Sequence, residues 1–419
     1  MTRPTRFERF RESAWIHHVV PPLAGPWPPA HAVRPAVAAT LLALLWPATA
    51  PAAAQAPSAV AILRERITDD IWLFRAPSDL DKWTSSNSLV ILGDEGVVVY
   101  DNHALPSTTR LVLAEIRKLT DRPVRVLINS HWHMDHWSGN EVYADSFPGL
   151  AIVATHRTRD LMARFPSAFF AYSTGASRMR DALAAALETG RFADGAPVTD
   201  SAVADQRGRI AEREVFEREV AAVRRVLPNT LFDDSLTFRL GGRTFRLLSM
   251  TGDAAGSTVL HLPDDGVLAT GDVLPRQEDG RGGQPWTMNS FAVSEWLESL
   301  RRLERIDAAV IVPGQGPALR DRAYLRDTRE LYETLIAGTR LALENGAVTL
   351  DELVAAIDLS DVRRRLAGDD PDLGATFDAI ARSLIRRAAQ DARDGITPPG
   401  RGRAAGTAVR PPAVPAHNP

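Results

Sequence analysis

The 419-residue chain contains no cysteine. That absence removes disulfides, thiolate zinc sites and cysteine nucleophiles together, so any metal must be held by histidine, carboxylate or amide oxygen. A cysteine-free chain suits an oxidising compartment without proving one. A dominant charge is missing as well. With 24% charged residues and a formal net charge of -3, nothing points to a nucleic acid or an anionic membrane surface as partner. The run Arg363, Arg364, Arg365 reads as a solvated helix face. No G-x-S-x-G nucleophile elbow, no phosphate-binding P-loop and no internal repeat occur, which leaves serine-hydrolase and nucleotide-hydrolysing readings without support. The remaining composition, 45% hydrophobic, is that of an ordinary globular protein with room for one large domain or two modest ones.

Near the N-terminus, basic Arg34 precedes a short apolar run, Val37 to Trp46, and the segment closes on small residues at Ala54-Gln55-Ala56 before Pro57. Basic flank, short apolar core and an A-x-A end are the marks of a secretory signal peptide. The run is too short, and too soon broken by Pro47, to span a bilayer, so no stable membrane span is expected. Residues 1–30 precede it without periodicity: either the signal is long or the start lies downstream, and a disordered Ala/Pro-rich tail is the competing reading. Residues 1–56 are therefore left out of the fold, and a periplasmic or secreted mature protein is expected.

From Ile67 the texture changes to short strand-like runs between turn residues. Strands are expected over 70–77 and 86–102, the latter a hairpin turning at Gly93-Asp94-Glu95-Gly96. Residues 107–122 carry apolar positions at helical spacing, with Ser107 and Thr108 as candidate caps. Residues 123–130 and 150–158 read as further strands. That rhythm implies a mixed α/β sheet with sites beyond the C-terminal strand ends. Residues 158–227 break it and read as a helical insertion. Hairpins return at 236–250, around Gly241-Gly242, and 257–274, around Pro263 to Gly266. An amphipathic helix over 290–306, a strand leading into the loop at 308–319, and helices over 320–394 complete the ordered part. A Pro/Gly tail, 395–419, should be disordered.

Ten histidines serve the whole chain, and three of them crowd into "HWHMDH", residues 131–136. In an extended H-x-H, the first and third side chains point the same way, so His131 and His133 can grip one ion. Asp135 and His136, past a bend, can reach a second ion, which in two-metal sites lies about 3.5–4 Å away. Imidazole and carboxylate together suit zinc, iron or manganese. Gly139 allows a tight turn into the next helix. A hydrogen-bonded polar loop is the plain alternative.

H-x-H-x-D-H after a strand, preceded by a strand ending in Asp101 ("GVVVYD") and followed by "LATGD" with Asp272, resembles the metallo-β-lactamase superfamily over about Ile67 to Leu319. The resemblance implies an αββα sandwich with a metal centre at one edge between two sheets, here with a helical insertion and C-terminal helices added. It implies that Asp101 supports the metal loop through hydrogen bonds and that Asp272 bridges two ions. Two usual histidines are replaced. Asp253 stands in "TGDAAGST" and Gln315 in "PGQGP", where the family places histidine. Asp253 can still complete a first position with His131 and His133. Gln315, a neutral amide, is a weak substitute, so one zinc or two stay open, with iron or manganese as alternatives.

Other residues are read more plainly. His103 is expected to be a loop residue rather than a ligand, His156 structural though near the cleft, and His261 a cross-strand packing residue. Trp132 and Trp137 either stack on substrate or pack the loop. Trp286 is a candidate for the active-site lip. The leading expectation is a metal-dependent hydrolase acting on a small-molecule substrate, with Asp135 catalytic as the group that orients the attacking water. The alternatives are a mononuclear iron oxidoreductase and a degenerate binding relative. The resemblance spans lactams, thioesters, lactones, phosphodiesters and sulfate esters, and neither substrate nor oligomeric state is legible.

Overall fold

The computed structural model describes residues 62–76, 86–165, 175–193, 195–276 and 292–395. The signal segment, Trp286 and the tail beyond Gly395 lie outside them.

Twelve strands among the described residues form two sheets. The first holds β1 (Leu63–Arg66), β2 (Ile71–Arg75), β3 (Asn87–Gly93), β4 (Gly96–Tyr100), β5 (Val124–Ile128), β6 (Ala151–Thr155) and β7 (Thr230–Phe232) in chain order. Its first four strands pair antiparallel and the rest parallel. The second runs β12-β11-β10-β9-β8, built from β8 (Ser235–Leu240), β9 (Arg243–Thr251), β10 (Ala255–Leu262), β11 (Val267–Gly271) and β12 (Val310–Pro313). Its strands pair antiparallel except β11 with β12. The hairpin turns fall where the glycine-containing turns of the sequence place them.

Alternation along each strand decides the layers. In β4, Val98 and Tyr100 enter the cluster between the sheets, while Val97 and Val99 enter the one behind the first sheet. There they meet Val112, Leu113 and Ile116 of α1 (Pro106–Leu119) and Val142 and Tyr143 of α2 (Asn140–Ser146). In the second sheet Leu260 and Ala269 face inward, and Val259 and Leu268 outward. A two-residue period puts one apolar set on each face, so both faces must be covered. The result is helix, sheet, sheet, helix: the αββα sandwich that the resemblance implies. Each fully buried aliphatic or aromatic side chain contributes about 1.5–3 kcal/mol.

Between the sheets' strands come α3 (His156–Arg164), α4 (Ala176–Thr189) and α5 (Asp200–Ala222). Behind the second sheet lie α6 (Val293–Arg305), α7 (Ala323–Glu344), α8 (Leu350–Ala355), α9 (Ser360–Ala367) and α10 (Pro371–Arg393). Their buried faces, with Trp296, Leu300, Leu331, Leu335, Leu384 and Ile385, pack on Val259, Leu268 and Ile311. The C-terminal helices thus form the outer layer of the second sheet.

Two local expectations need correction. The run 150–158 is not all strand: it turns helical at His156, because the Thr155 hydroxyl accepts from the Thr158 N–H at 3.1 Å and caps α3. Ser107 and Thr108 do not cap α1. Leu105 occupies the cap position, Pro106 starts the helix, and Ser107 instead donates through its N–H and hydroxyl to Glu219 of α5.

Candidate metal centre

At one end of the sandwich, four strand ends and one hairpin turn converge. Asp101 follows β4, the histidine loop follows β5, Asp272 follows β11, Gln315 follows β12, and Asp253 sits in the turn between β9 and β10. Both strand pairs that open here, β4 with β5 and β11 with β12, are parallel, so their C-terminal ends face the same region. Hydrogen bonds lock the sheets together at this end. Tyr100 Oη donates to the Thr258 carbonyl at 2.6 Å, and Asn87 Nδ2 donates to the carbonyls of Pro313 and Gly316 at 2.7 and 2.8 Å.

His131 and His133, with ring centroids 4.6 Å apart, follow β5 in a bend rather than a continued strand. A short 3-10 turn, Met134–His136, then swings Asp135 and His136 back toward them. His131, His133, Asp253 and Asp272 each offer a ligand atom within 4.8 Å of the others, and all four are buried. His133 Nδ1 lies 3.0 Å from Asp253 Oδ2, and His131 Nε2 lies 3.7 and 3.8 Å from Asp253 Oδ1 and Asp272 Oδ2. Beside them His136 Nε2 is 3.3 Å from Asp135 Oδ2 and 3.5 Å from Asp272 Oδ2. Gln315 Nε2 donates to Asp135 Oδ2 at 3.4 Å. His131, His133, Asp135, His136, Asp253, Asp272 and Gln315 therefore lie in one set of buried contacts.

The donor set fits a metal ion. His131 Nε2, His136 Nε2, Asp253 Oδ1, Asp272 Oδ1 and Gln315 Oε1 are buried and make no hydrogen bond. Buried polar atoms without partners are costly, and so many in neighbouring residues match coordination better than packing. Gly314 keeps the space open: a Cβ there would stand 1.9 Å from Asp272 Oδ1.

Charge follows from burial and mutual contact. Burial, with His136 and His133 as neighbours, holds His131 well below the usual imidazole range, leaving it neutral. Burial raises Asp253 to about 6, against the pull of His133 and with the push of Asp272. Burial opposes a proton on His133 too, but Asp253, Asp135 and Asp272 outweigh it and raise that imidazole. Asp135 is lowered, because His136 and His133 outweigh its burial. Asp135 is thus held ionised.

Asp101 sits outside the cluster and sets its orientation. It is the non-glycine residue with positive φ, 61°, among the described residues. That strained turn sends its carboxylate to the Ser130 N–H at 2.6 Å and to His136 Nδ1 at 2.8 Å. With Nδ1–H donating to Asp101, His136 presents Nε2 to the cluster.

The sequence reading missed a cage of buried amides. Asn129 Nδ2 donates to the His136 carbonyl at 3.1 Å and to Asn140 Oδ1 at 2.9 Å; Asn102 Nδ2 donates to the same Asn140 oxygen at 2.8 Å. Asn102 Oδ1 accepts from the Gly139 N–H at 2.8 Å. Each asparagine follows a strand or starts a helix beside the ligand motif, which was the available signal. Gly139 has ordinary φ; glycine is required because a Cβ would meet Thr109 Oγ1 at 2.1 Å.

The remaining candidates resolve plainly. Trp132 and Trp137 are buried with Leu161, Met162 and Ala254, and Trp137 Nε1 donates to the Trp132 carbonyl at 2.7 Å, so both pack the loop. His156 is exposed, 3.1 Å from Asp233. His261 Nε2 meets the Asp307 carbonyl at 3.1 Å. His103 is a loop residue, as expected, and is fully buried.

Comparison with known proteins gives the following. The family model of the metallo-beta-lactamase superfamily matches residues 81–315, more than half of the chain. A linear primary-alkylsulfatase from Pseudomonas sp. (strain ATCC 19151) is 26% identical over 307 residues, 70% of this chain and 53% of that protein. The chain thus spans about half the length of the curated relative it matches. Among solved structures, a metallo-beta-lactamase from Pontibacter korlensis is 19% identical at a TM-score of 0.45, covering 65% of this chain and 99% of that one. The DIM-1 metallo-beta-lactamase is 17% identical at a TM-score of 0.44, over 65% and 98% of the two chains.

Proposed function

The chain belongs to the metallo-β-lactamase superfamily, and from that premise we propose that it is a metal-dependent hydrolase whose substrate is a sulfate ester of a small, linear alcohol. The observation that carries the hydrolase reading is the convergence of His131, His133, Asp253 and Asp272 on one buried point, with Asp135 and His136 alongside. The sulfate ester is favoured by similarity to a linear primary-alkylsulfatase.

A divalent ion, zinc in this reading, supplies Lewis acidity and brings the ionisation of a water near neutral pH. His131, His133 and Asp253 would hold a first ion. Asp135, His136 and Asp272 would hold a second, with Gln315 a weak contributor through its amide oxygen. The chain's residues do the rest. Asp135, held ionised, would orient the attacking water. Asp101 fixes the ring of His136 and, through Ser130, the start of the ligand loop. The amide cage keeps that loop from relaxing when charge changes in the site. Export is part of the proposal: the segment before Pro57 has the form of a cleaved signal, giving a periplasmic or secreted enzyme.

Two histidines and a carboxylate also form a set suited to non-haem iron, which gives the runner-up, a mononuclear iron oxidoreductase. One assay separates the readings. Purified protein, stripped and reloaded with zinc, manganese or iron, is offered a linear alkyl sulfate, a β-lactam, a thioester, a lactone and a phosphodiester. Metal-dependent release of inorganic sulfate supports the proposal. Turnover of another ester or amide bond keeps the hydrolase and overturns the substrate. No hydrolysis of any of them, with one tightly held iron per chain, would favour the oxidoreductase.

A further inference from the structure

Ser130 stands immediately before the H-x-H-x-D-H motif and is not itself a ligand candidate. It is fully buried, and its hydroxyl oxygen lies 2.9 Å from His131 Nδ1 and 3.4 Å from His136 Nδ1. The two rings are close, with centroids 4.1 Å apart. Asp101 settles the proton of His136 by taking its Nδ1–H at 2.8 Å. For His131 the partner at Nδ1 is the Ser130 hydroxyl. Its other nitrogen, Nε2, faces Asp253 Oδ1 at 3.7 Å and Asp272 Oδ2 at 3.8 Å. Two carboxylates on that side attract a proton to Nε2, the atom that must be bare to bind an ion. A neutral imidazole carries one N–H, so an acceptor at Nδ1 is what keeps Nε2 free. Ser130 is held firmly enough to be that acceptor. Its N–H donates to Asp101 Oδ1 at 2.6 Å, and its carbonyl accepts the Thr258 N–H at 2.6 Å. Gly271, at φ 50°, leaves it room: a Cβ there would stand 2.7 Å from Ser130 Cβ and 2.9 Å from its Oγ. Burial raises both Asp101 and Tyr100, and hydrogen bonding by the Ser130 side chain opposes the rise in each, so oxygens able to take the hydroxyl proton lie beside it.

We propose that Ser130 is the positioning residue of His131: its hydroxyl oxygen accepts the His131 Nδ1–H and holds the ring in the tautomer whose Nε2 is bare. The hydroxyl proton then points to the Asp101 carboxylate or to Tyr100 Oη. Two neighbouring ligand imidazoles are thereby set from one buried anchor, His136 by Asp101 itself and His131 by the serine whose backbone Asp101 holds. The inference deepens the metal-centre reading and rests on it for its purpose, while the tautomer is a property of the metal-free chain.

Nitrogen NMR on the full, metal-free chain reads the tautomer without reference to turnover. In protein carrying isotope-labelled histidine, at mildly alkaline pH, two-bond couplings to the ring protons distinguish Nδ1–H from Nε2–H. The His131 signals are assigned by their loss in His131→Gln. The proposal expects the Nδ1–H tautomer in the unmodified chain and a shift to Nε2–H in Ser130→Ala, where only the carboxylates compete for the proton. Zinc affinity in that variant should fall about 10–100-fold by competition with a chelator, the usual cost of losing an outer hydrogen-bond partner. An Nε2–H or doubly protonated His131 in the unmodified chain would overturn the proposal. So would an Nδ1–H tautomer, or a zinc affinity, that Ser130→Ala leaves unchanged. Should Ser130→Ala fail to fold, the unmodified chain decides alone: an Nδ1 proton shifted downfield by a hydrogen bond supports the proposal, and one at the unbonded position overturns it. The metal-centre reading fails separately, since a chain that takes up no zinc loses that reading whichever tautomer His131 shows.

Discussion

Asp101 sits at φ 61°, a conformation that a non-glycine residue adopts at some cost, and it is held there by the hydrogen bonds its carboxylate makes. Asp101→Asn keeps the shape and removes the anionic acceptor for His136 Nδ1–H. The amide is as able to donate as to accept, so the ring loses its fixed tautomer. Metal affinity should drop about 10–100-fold with thermal stability little changed, as read by competition with a chromophoric chelator. The buried carboxylate Asp253 gives a pH dependence. Burial raises it to about 6, so in metal-free protein it costs stability in full above that value, and the cost fades as the pH falls from there toward the ordinary 3.8. Metal binding runs the other way, because the ion needs the carboxylate ionised. Metal affinity should begin to weaken as the pH falls through about 6, earlier than an ordinary carboxylate would allow; competition against a chelator at stepped pH measures it. At this scale His131, His133, Asp135 and His136 were legible because their spacing alone encodes a shared direction. The burial of His103 was not, because burial is a property of what packs around a residue. Its neighbours 134–136 lie more than thirty positions along the chain.

Elements carry the site through their ends. Strands β3 and β4 and the pairs β8–β9 and β10–β11 were legible because apolar alternation stops at glycine-containing turns. The boundary at His156 was not, since "ATHRT" continues a strand-like run and only the Thr155 cap turns it helical. Helix α6 shows how an element far from the ligands supports them. Trp296 is buried beneath the loop after Asp272, and its Nε1 donates to the Val273 carbonyl at 2.9 Å. Trp296→Ala removes that bond and leaves a large cavity in the outer core. A loss of about 3–5 kcal/mol in unfolding free energy is expected by denaturant titration, with the midpoint lowered. The N-terminus of the same helix is closed from elsewhere: Asp391 of α10 accepts the Val293 N–H at 2.8 Å. An amphipathic helix announces that one face is buried but not against what, so the sequence did not say where α7 and α10 pack. The structure puts them against the second sheet.

For the whole molecule, the layered sandwich brings groups from residue 101 to residue 315 to one end, and no local segment could do this. That long separation also explains why Asp253 and Gln315 were readable only through resemblance: neither lies in a motif with its own chemistry. The central claim is that this end of the sandwich is a metal centre. It is tested most directly by metal content per chain in the purified protein, beside a His131→Ala, His133→Ala double variant. The account predicts one to two ions per chain, lost in the variant. It also predicts a fall in melting temperature when the unmodified protein is stripped with chelator, since an ion at a hundred times its Kd stabilises the fold by about 2.7 kcal/mol. Protein that arrives metal-free, refuses added zinc, manganese and iron, and melts at the same temperature with or without them would contradict it.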